Sequence, residues 1–484
     1  MEKNRTADVL KIFGIVLFLL IANSYAPAGL QIFGFEIKQI DFLGDVRTDE
    51  FIESQYDDDE YEEEDDYYDE SDSEAENDSV LLEDHQYNLA NIFNINFISD
   101  FVITELDKLE NYSKIPTSSS GNELSGNITQ LNKFFAALKK SKNKKVRVAH
   151  FGDSTLEGDL ITSDLRELFQ LKYGGTGVGI VPITSQDTKF RQTTDLSFSD
   201  DWTVATVFSR NKNHLPLGIN GHVFVNSANS WVQMKTNNRY KTVRKFDVAK
   251  LFYADAKSNA EVKYSFNGGE AVSKSLTSGS GLHVLKIKKN GAKSIKMEFP
   301  QSNSAYYYGI SLESGNGVYI DNFALRGNSG VDLKKITTEY LKKFDAEMDY
   351  KLVILEFGLN ILSGRKTNFS RYERSMIKII KRMKAAMPNA SFLLVGVHDK
   401  CVKKGSKFVT DPAVLKLVEA QKNIAQKSDI AFWNLFEAMG GKNSMIEWVN
   451  ANPPRAFKDY THFNDVGSKK EAKLLFDDLM QKNK

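Results

Sequence analysis

Residues 146–159 read VRVAHFGDSTLEGD, and the interpretation of the whole chain depends on them. The stretch begins with an apolar run that predicts a short buried strand, and Gly152 ends this run before a helical pattern starts. We therefore expect Ser154 at the carboxyl end of a strand and just before a helix. Ligands bind at that end of open α/β sheets, where backbone N–H groups can face a negative charge. Such a serine is either a nucleophile or a helix cap, and the rest of the chain has to decide which.

The charge of the chain is divided between two unlike regions. The formal net charge of the 484 residues is −1, but residues 45–85 contain 21 of the 64 acidic residues and one of the 63 basic residues. The rest of the chain therefore carries 62 basic and 43 acidic side chains, a net charge of +19. Such a basic body suits an anionic polymer, a membrane surface or the chain's own acidic segment. The single cysteine, Cys401, excludes an intrachain disulfide framework.

The N-terminus is strongly apolar. Residues 12–35 contain no charged side chain, and they follow basic residues and precede acidic ones. This pattern predicts an N-terminal transmembrane helix with the body outside the cytoplasm. The alternative is a cleaved signal peptide, because residues 24–26 (SYA) resemble a cleavage site, although Pro27 disfavours cutting. We assign residues 1–35 to this anchor or signal peptide and expect a membrane-anchored, extracytoplasmic protein, periplasmic if the cell is Gram-negative.

Composition divides the remaining residues into four parts. Residues 36–84 form an acidic linker that we expect to be disordered, because a block of like charges repels itself and has little to bury. A helical lead-in and connector follow over residues 85–130. Strand and helix patterns alternate over residues 131–182 and 319–484, which predicts a three-layer α/β/α, flavodoxin-like domain with a parallel sheet. Residues 183–318 are an insertion into that domain.

The insertion is rich in short β-type runs. Valine, isoleucine and aromatic residues recur in runs separated by Asn, Gly and Ser, which predicts an antiparallel β-sandwich, jelly-roll-like in form. Trp202, Trp231 and Tyr306 to Tyr308 are candidates for stacking on sugar rings. Packing in the sandwich core is the alternative for these aromatic residues. The insertion is thus a candidate carbohydrate-binding domain.

Four fragments that follow predicted strands, or close the α/β domain, carry the residue types of an acyl-transfer enzyme. Acyl transfer needs a nucleophile, a base, an acid that orients the base, and donors aimed at the oxyanion. Ser154 is the candidate nucleophile, His462 the base and Asp459 the orienting acid. The candidate oxyanion donors are the N–H groups of Ser154 and Gly330 and the side-chain amide of Asn360. The order of these fragments favours a nucleophile over a helix cap.

Two other histidines and a glycine run need separate interpretation. His398 follows another predicted strand and competes with His462 as the base. His150, beside the nucleophile, is expected to be a packed or capping group. The glycines of residues 174–179 are typical of a turn, because no P-loop lysine follows them. The sequence therefore predicts no metal, no cofactor and no nucleic-acid partner.

The four fragments resemble the sequence blocks of the SGNH (GDSL-type) hydrolase family. AHFGDS is similar to the first block, with Ser154 as nucleophile, and LRGNSG to the second, whose last glycine, Gly330, supplies an oxyanion N–H. LEFGLN is similar to the third block, with Asn360 as the oxyanion amide. DYTHFNDVG is similar to the last, with Asp459 and His462 as the acid and the base.

The resemblance covers residues 146–182 and 318–482, and the chain departs from the family pattern at two positions. Thr155 follows the nucleophile where the family has leucine, a change that is conservative in role. Ile361 replaces the acid that usually follows the oxyanion asparagine, which leaves the positioning of the substrate open.

One subgroup is more similar still. Bacterial peptidoglycan and exopolysaccharide O-acetylesterases and O-acetyltransferases also carry a β-sandwich between the first and second blocks. This resemblance implies a serine-dependent O-acyl, above all acetyl, ester hydrolase or transferase. It would act on an extracytoplasmic polysaccharide or peptidoglycan through an acyl-enzyme on Ser154, with a membrane-bound O-acyltransferase as a partner. The alternative is a non-catalytic scaffold or glycan-binding component of an envelope complex.

Overall fold

The computed structural model describes residues 31–32, 35–36, 123–209, 211, 213–362 and 367–483. Contacts divide the chain into two units, residues 1–106 and 107–484. The described residues of the first unit form two short antiparallel strands, β1 (Gln31–Ile32) and β2 (Phe35–Glu36). Apart from these strands, the predicted anchor, the acidic linker and residues 85–122 of the predicted helical lead-in lie outside the described residues. Residues 123–130 of the lead-in are described, and they contain a short strand, Leu124–Gly126, in place of an α-helix. None of the helices that the structure describes combines the length and apolar character needed to cross a bilayer.

A six-stranded sheet forms the centre of the second unit. Its strands are β3 (Leu124–Gly126), β4 (Lys145–Gly152), β16 (Gly317–Ala324), β17 (Tyr350–Glu356), β18 (Ser391–Val395) and β21 (Ala431–Trp433). The strand order is β16-β4-β17-β18-β21-β3, with five parallel strands and β3 antiparallel to β21. The strands are apolar almost throughout because both faces of the sheet are covered. The predicted α/β domain with a parallel sheet is confirmed.

Helices pack on both faces of this sheet. They are α1 (Asn132–Leu138), α2 (Thr162–Tyr173), α3 (Thr338–Met348), α4 (Ser370–Ala386), α5 (Pro412–Lys427), α6 (Leu435–Ala438), α7 (Ser444–Asn450) and α8 (Asp465–Lys482). Successive side chains of a strand point to opposite faces. Val148 therefore packs in the core that contains α1, α2 and α8, whereas Ala149 packs in the core that contains α3, α4 and α5. A small hairpin of β19 (Cys401–Lys404) and β20 (Lys407–Thr410) follows β18.

The insertion consists of two antiparallel sheets, as predicted. Their strands are β5 (Thr176–Val181), β6 (Thr194–Phe198), β7 (Thr203–Thr206), β8 (His222–Val225), β9 (Ser230–Thr236), β10 (Phe246–Ala256), β11 (Glu261–Phe266), β12 (Val272–Ser275), β13 (Gly279–Ala292), β14 (Ser294–Phe299) and β15 (Tyr306–Ser314). One sheet has the order β13-β10-β15-β8-β7 with β5 also paired to β15, and the other has the order β12-β11-β14-β9-β6. Because β5 pairs with β15, the sandwich includes residues from 176 onward, earlier than the predicted start at residue 183.

Three of the five aromatic residues proposed for sugar stacking are buried: Trp202 and Tyr307 in the sandwich core, and Tyr308 against the α/β domain. Trp202 is buried, and its ring centroid lies 5.3 Å from that of Phe299 and 5.8 Å from that of Tyr307. Tyr307 and Tyr308 are fully buried. Trp231 differs, because it alternates with the buried Val232 along β9 and remains partly exposed on the outer face of its sheet. The stacking prediction therefore fails for the buried tyrosines and Trp202.

A buried ion cluster joins the insertion to the parallel sheet. Arg147 on β4 donates hydrogen bonds of 3.1 and 3.0 Å to Asp321 on β16, and another to Glu313 on β15. Lys250 on β10 lies 2.9 Å from the same Glu313 carboxylate. Buried charges require such partners, because an unpaired one loses its hydration without compensation. The cluster therefore fixes β15 of the sandwich against the edge of the parallel sheet.

Candidate active site

The loops after three neighbouring strands carry most of the predicted site. The nucleophile follows β4, the Gly327–Gly330 loop follows β16, and Asn360 follows β17. These strands are adjacent and parallel, so their carboxyl ends emerge at one edge of the sheet. Asn360 connects the three loops, because its Nδ2 donates to Oδ2 of Asp153 at 3.1 Å and to the carbonyl of Asn328 at 3.2 Å.

The turn after β4 leaves Ser154 free for chemistry. The helix cap is Asp153, whose Oδ1 accepts the N–H of Thr155 at 2.9 Å at the start of a 3-10 segment, Ser154–Asp159. Ser154 is half-buried, and neither its Oγ nor its N–H has a hydrogen-bond partner among the described residues. The role of cap therefore belongs to Asp153. The serine retains both the hydroxyl that a nucleophile needs and an N–H that can face an oxyanion.

His462 and Asp459 form the predicted pair in the turn that precedes α8. Oδ2 of Asp459 lies 2.8 Å from Nδ1 of His462, and its Oδ1 accepts the N–H groups of Thr461 and His462 at 2.9 and 3.0 Å. Partial burial works to raise the pKa of Asp459, but the hydrogen bonds from His462 and Thr461 outweigh it and lower that pKa. Asp459 is therefore ionised at neutral pH. It leaves Nε2 of His462 as the atom that can take a proton.

The His462 side chain acts electrostatically on the nucleophile turn. Burial is the main effect on Asp153 and raises its pKa to about 6. Hydrogen bonds from Thr155 oppose this rise, and the nearby Glu356 carboxylate adds to it. The side chain of His462 lowers the pKa of Asp153, so the two residues interact electrostatically. Among the described residues Ser154 and His462 share no hydrogen bond. Catalytic bonds of this kind often tighten only when the substrate binds.

His398, the competing base, is enclosed in the protein. It is 3% exposed, and its ring packs against Phe463 with centroids 4.4 Å apart. Its Nδ1 lies 2.7 Å from the carbonyl of Asp399. Burial lowers the pKa of His398 to about 4, so the ring is a weak proton acceptor. These features favour His462 as the base.

The second predicted oxyanion donor has a partner in this structure. Gly330 has φ +88°, and a Cβ there would come within 2.9 to 3.1 Å of Phe357 and Met376, so the position requires glycine. The N–H of Gly330 donates to Oδ1 of Asn328 at 2.8 Å. Asn328 thus accepts hydrogen bonds from both Gly330 and Asn360, and an oxyanion would have to replace it as the acceptor.

Sequence reasoning missed an acid directly behind the nucleophile. Glu356 ends β17, where an apolar strand meets the site, and Oε2 of its carboxylate lies 2.9 Å from Nε2 of His150. Its Oε1 is 3.4 Å from Oγ1 of Thr155. The visible signal was an acidic residue in the otherwise apolar run KLVILEF. His150, predicted to be packed or capping, is fully buried.

Comparison with known proteins adds evidence on the fold. No protein-family model matches the sequence, and no curated protein matches it. A solved structure described as a peptidoglycan O-acetylesterase in action is similar, with a TM-score of 0.61, 20% identity, and coverage of 75% of this chain and 99% of that chain.

Two further solved structures are less similar, and their low TM-scores carry no argument. A putative GDSL-like lipase from Parabacteroides merdae has a TM-score of 0.26 at 15% identity, with coverage of 34% of this chain and 73% of its own. An acetyl xylan esterase has a TM-score of 0.26 at 17% identity, with coverage of 33% and 80%. The fold of this chain is therefore similar to that of the peptidoglycan O-acetylesterase structure, in agreement with the resemblance stated from the four sequence blocks.

Proposed function

We propose that the protein is a serine-dependent O-acyl esterase that removes acetyl groups from an extracytoplasmic polysaccharide. The observation that carries this proposal is the arrangement at one sheet edge of Ser154, the Asn360 amide and the His462–Asp459 pair. Within the described part of the chain, the hydroxyl of Ser154 has no hydrogen-bond partner. Ser154 Oγ attacks the ester carbonyl as His462 Nε2 takes its proton. The proton then passes to the sugar oxygen as its bond to the acyl carbon breaks, so the sugar departs as an alcohol and leaves an acetyl-enzyme on Ser154.

Substitution of the nucleophile and of each candidate base tests this mechanism. Ser154→Ala and His462→Ala should each abolish release of acetate from a chromogenic acetyl ester, while His398→Gln should keep most of the activity. Retained activity in Ser154→Ala would contradict the mechanism, and loss in His398→Gln alone would assign the base to His398. A fluorophosphonate probe should label the parent protein and not Ser154→Ala; absence of labelling in the parent would favour a non-catalytic scaffold.

Hydrolysis and acyl transfer share the acetyl-enzyme and differ only in the acceptor. Asn360, Asp459 and His462 are all exposed, so water can reach the bond that has to be broken in the second step. A transferase has to exclude water from that intermediate. This exposure supports hydrolysis as the main reaction. Incubation with an acetyl donor and an unacetylated glycan, analysed by mass spectrometry, should yield free acetate, and an acetylated glycan as the main product would contradict hydrolysis.

The insertion supplies a surface suited to a sugar ring. Trp231 lies on the outer face of β9, with Glu298 opposite it on β14 and Nζ of Lys296 5.0 Å from the centre of its ring. An aromatic ring beside charged and polar groups is typical of sites that stack on sugars and bond their hydroxyls. We propose that this face holds the polysaccharide near the esterase domain.

Trp231→Ala should weaken retention on an O-acetylated polysaccharide and leave the turnover of a small acetyl ester unchanged. The conservative variant Trp231→Phe should retain part of the binding. Unchanged retention in Trp231→Ala would exclude this face.

The proposed location rests on the sequence of residues 12–35. An uncleaved anchor there would hold the esterase outside the cytoplasm beside a membrane-bound O-acyltransferase, the partner implied by the resemblance. Membranes washed with alkaline carbonate should retain the full chain and release a variant that lacks residues 1–35. Release of both proteins, or recovery of a shortened mature chain, would contradict the anchor.

A further inference from the structure

Glu356 lies directly behind the nucleophile turn. It ends β17 opposite Gly152 of β4, and the residue is 5% exposed. Its carboxylate reaches His150 on one side and, on the other, Thr155, the residue that follows the nucleophile. A buried carboxylate is costly unless hydrogen bonds replace its hydration. The role of Glu356 therefore depends on which neighbouring groups donate hydrogen bonds to its carboxylate.

The hydrogen bonds of His150 define which of its nitrogens carries the proton. Nδ2 of Asn322 donates to Oγ1 of Thr162 at 2.9 Å, and that oxygen lies 3.0 Å from Nδ1 of His150. An amide NH₂ group can only donate, so the Thr162 hydroxyl proton remains available for Nδ1. His150 therefore accepts at Nδ1 and carries its proton on Nε2. This proton points to the Glu356 carboxylate.

A second acid lies on the other side of Glu356. Glu471 of α8 is fully buried, and no described group donates a hydrogen bond to either of its carboxyl oxygens. Burial, and after it the Glu356 carboxylate, raise the pKa of Glu471 well above its usual range. Glu471 is therefore protonated at neutral pH. It therefore adds no negative charge beside Glu356.

We propose that Glu356 is a positioning residue of the esterase site: its carboxylate accepts the Nε2–H of His150 and fixes Thr155 and the turn that presents Ser154. The inference rests on the proposed esterase function. Buried ionic groups are often no more stabilising than apolar side chains of similar volume. Packing alone therefore gives no reason for an acidic residue at this place, whereas its contact with Thr155, the residue after the nucleophile, does.

Four titratable groups face Glu356 from the elements packed around it. They are His150 of β4, Asp153 of the nucleophile turn, Glu471 of α8 and His398 of the loop after β18. Burial is the main cause that raises the pKa of Asp153, and the Glu356 charge adds to it. Loss of that charge should therefore lower the pKa of Asp153 and move the acid limb of the activity profile to lower pH.

Two matched substitutions separate positioning from packing. Glu356→Gln keeps the shape but loses one acceptor and the charge, so kcat should fall about tenfold or more with KM nearly unchanged. The acid limb of its kcat/KM profile should also move to lower pH. Glu471→Gln keeps a neutral donor of the same size, so its kcat should stay within about threefold of the parent. Activity of Glu356→Gln within threefold of the parent, or equal losses in both variants, would overturn the proposal.

A second pair of variants covers the case in which Glu356→Gln does not fold. Thr155→Val removes the hydroxyl that contacts Glu356 and should lower kcat about as much as Glu356→Gln, while Thr155→Ser should restore it. Equal activity of the valine and serine variants would overturn the proposal.

Failure of the esterase proposal can be told apart from failure of this one. Acetate release by the parent tests the function itself, and the ratios between variants test the positioning role. Nitrogen-15 shifts of His150 provide a readout that needs no turnover. They should show a proton on Nε2 and none on Nδ1, and a proton on Nδ1 would overturn the network.

Discussion

Replacement of the orienting acid, Asp459→Asn, tests the site most directly, and the exposure of the pair sets the expected magnitude. The side chain of Asp459 is 45% exposed and that of His462 is 47% exposed. Asparagine can keep Oδ1 as the acceptor for the N–H groups of Thr461 and His462, so the turn should survive. It replaces Oδ2 by an NH₂ group that cannot accept the Nδ1–H of His462, so the ring loses the tautomer that leaves Nε2 free.

The loss of activity should be smaller than in an enclosed triad. Removal of a buried orienting acid costs about 10⁴-fold in kcat. A hydrogen bond to a charged group is worth about 1.5–3 kcal/mol, and water can replace part of it at a half-exposed pair. We therefore expect kcat to fall about 10- to 100-fold, or about 1.4–2.7 kcal/mol.

The assay is release of acetate from a small acetyl ester at pH 7.5, with saturation curves that separate kcat from KM. Asp465→Asn is the matched control, because Asp465 is an exposed acid in the first turn of α8 that pairs with Arg239 at 2.7 Å. The control should keep activity close to that of the parent. A change in kcat of less than twofold for Asp459→Asn would refute the orienting role. A loss near 10⁴-fold would refute the argument from exposure, since it would require a pair enclosed during the reaction.

Two further predictions concern the interior of the domain. Burial raises the pKa of Asp153 to about 6, so its carboxylate gains a proton as the pH drops through about 6. The protonated group loses an acceptor for the Asn360 amide, and kcat/KM should therefore fall in this pH range. Asp153→Asn should keep only the acid limb caused by protonation of the base, and a limb identical to that of the parent would show that Asp153 does not contribute to it. Arg166 is buried and bonds Asp159 at 2.7 and 2.9 Å, so Arg166→Met should destabilise the fold by about 3–5 kcal/mol in urea unfolding. A loss below about 1 kcal/mol would show that Asp159 finds other compensation.

The sequence was most informative where function depends on short local patterns. Asp459 and His462 are three residues apart, and their bond closes within a single turn. Ser154 and Asn360 each follow a strand that was recognisable from an apolar run, and parallel strands in one sheet bring such ends to one edge. The location of these residues was therefore predictable. The hydrogen bonds of the oxyanion donors in the resting state were not predictable, because Asn328 gave no signal as the common acceptor of Gly330 and Asn360.

The sequence was least informative about which face of each strand is buried and which element it packs against. Trp202 and Trp231 look alike in the sequence, yet one lies inside the sandwich and the other on its surface. A one-residue change of register exchanges the two faces of a strand, so burial follows from long-range pairing. The pairing of Glu356 with Glu471 has the same origin. These acids lie on a strand and a helix that are far apart in the chain, and no local pattern connects them.

Asn328 suggests how the proposed site distinguishes the transition state from the bound ester. In the resting structure it accepts the N–H of Gly330 with its side chain and an amide proton of Asn360 with its carbonyl. Both acceptors are neutral oxygens, and so is the carbonyl oxygen of an ester. Exchange of one neutral acceptor for another gains little, whereas a tetrahedral oxyanion forms hydrogen bonds about twice as strong. The donors would therefore leave Asn328 mainly when negative charge develops, and binding energy that appears only at that point lowers the barrier without tightening the bound ground state.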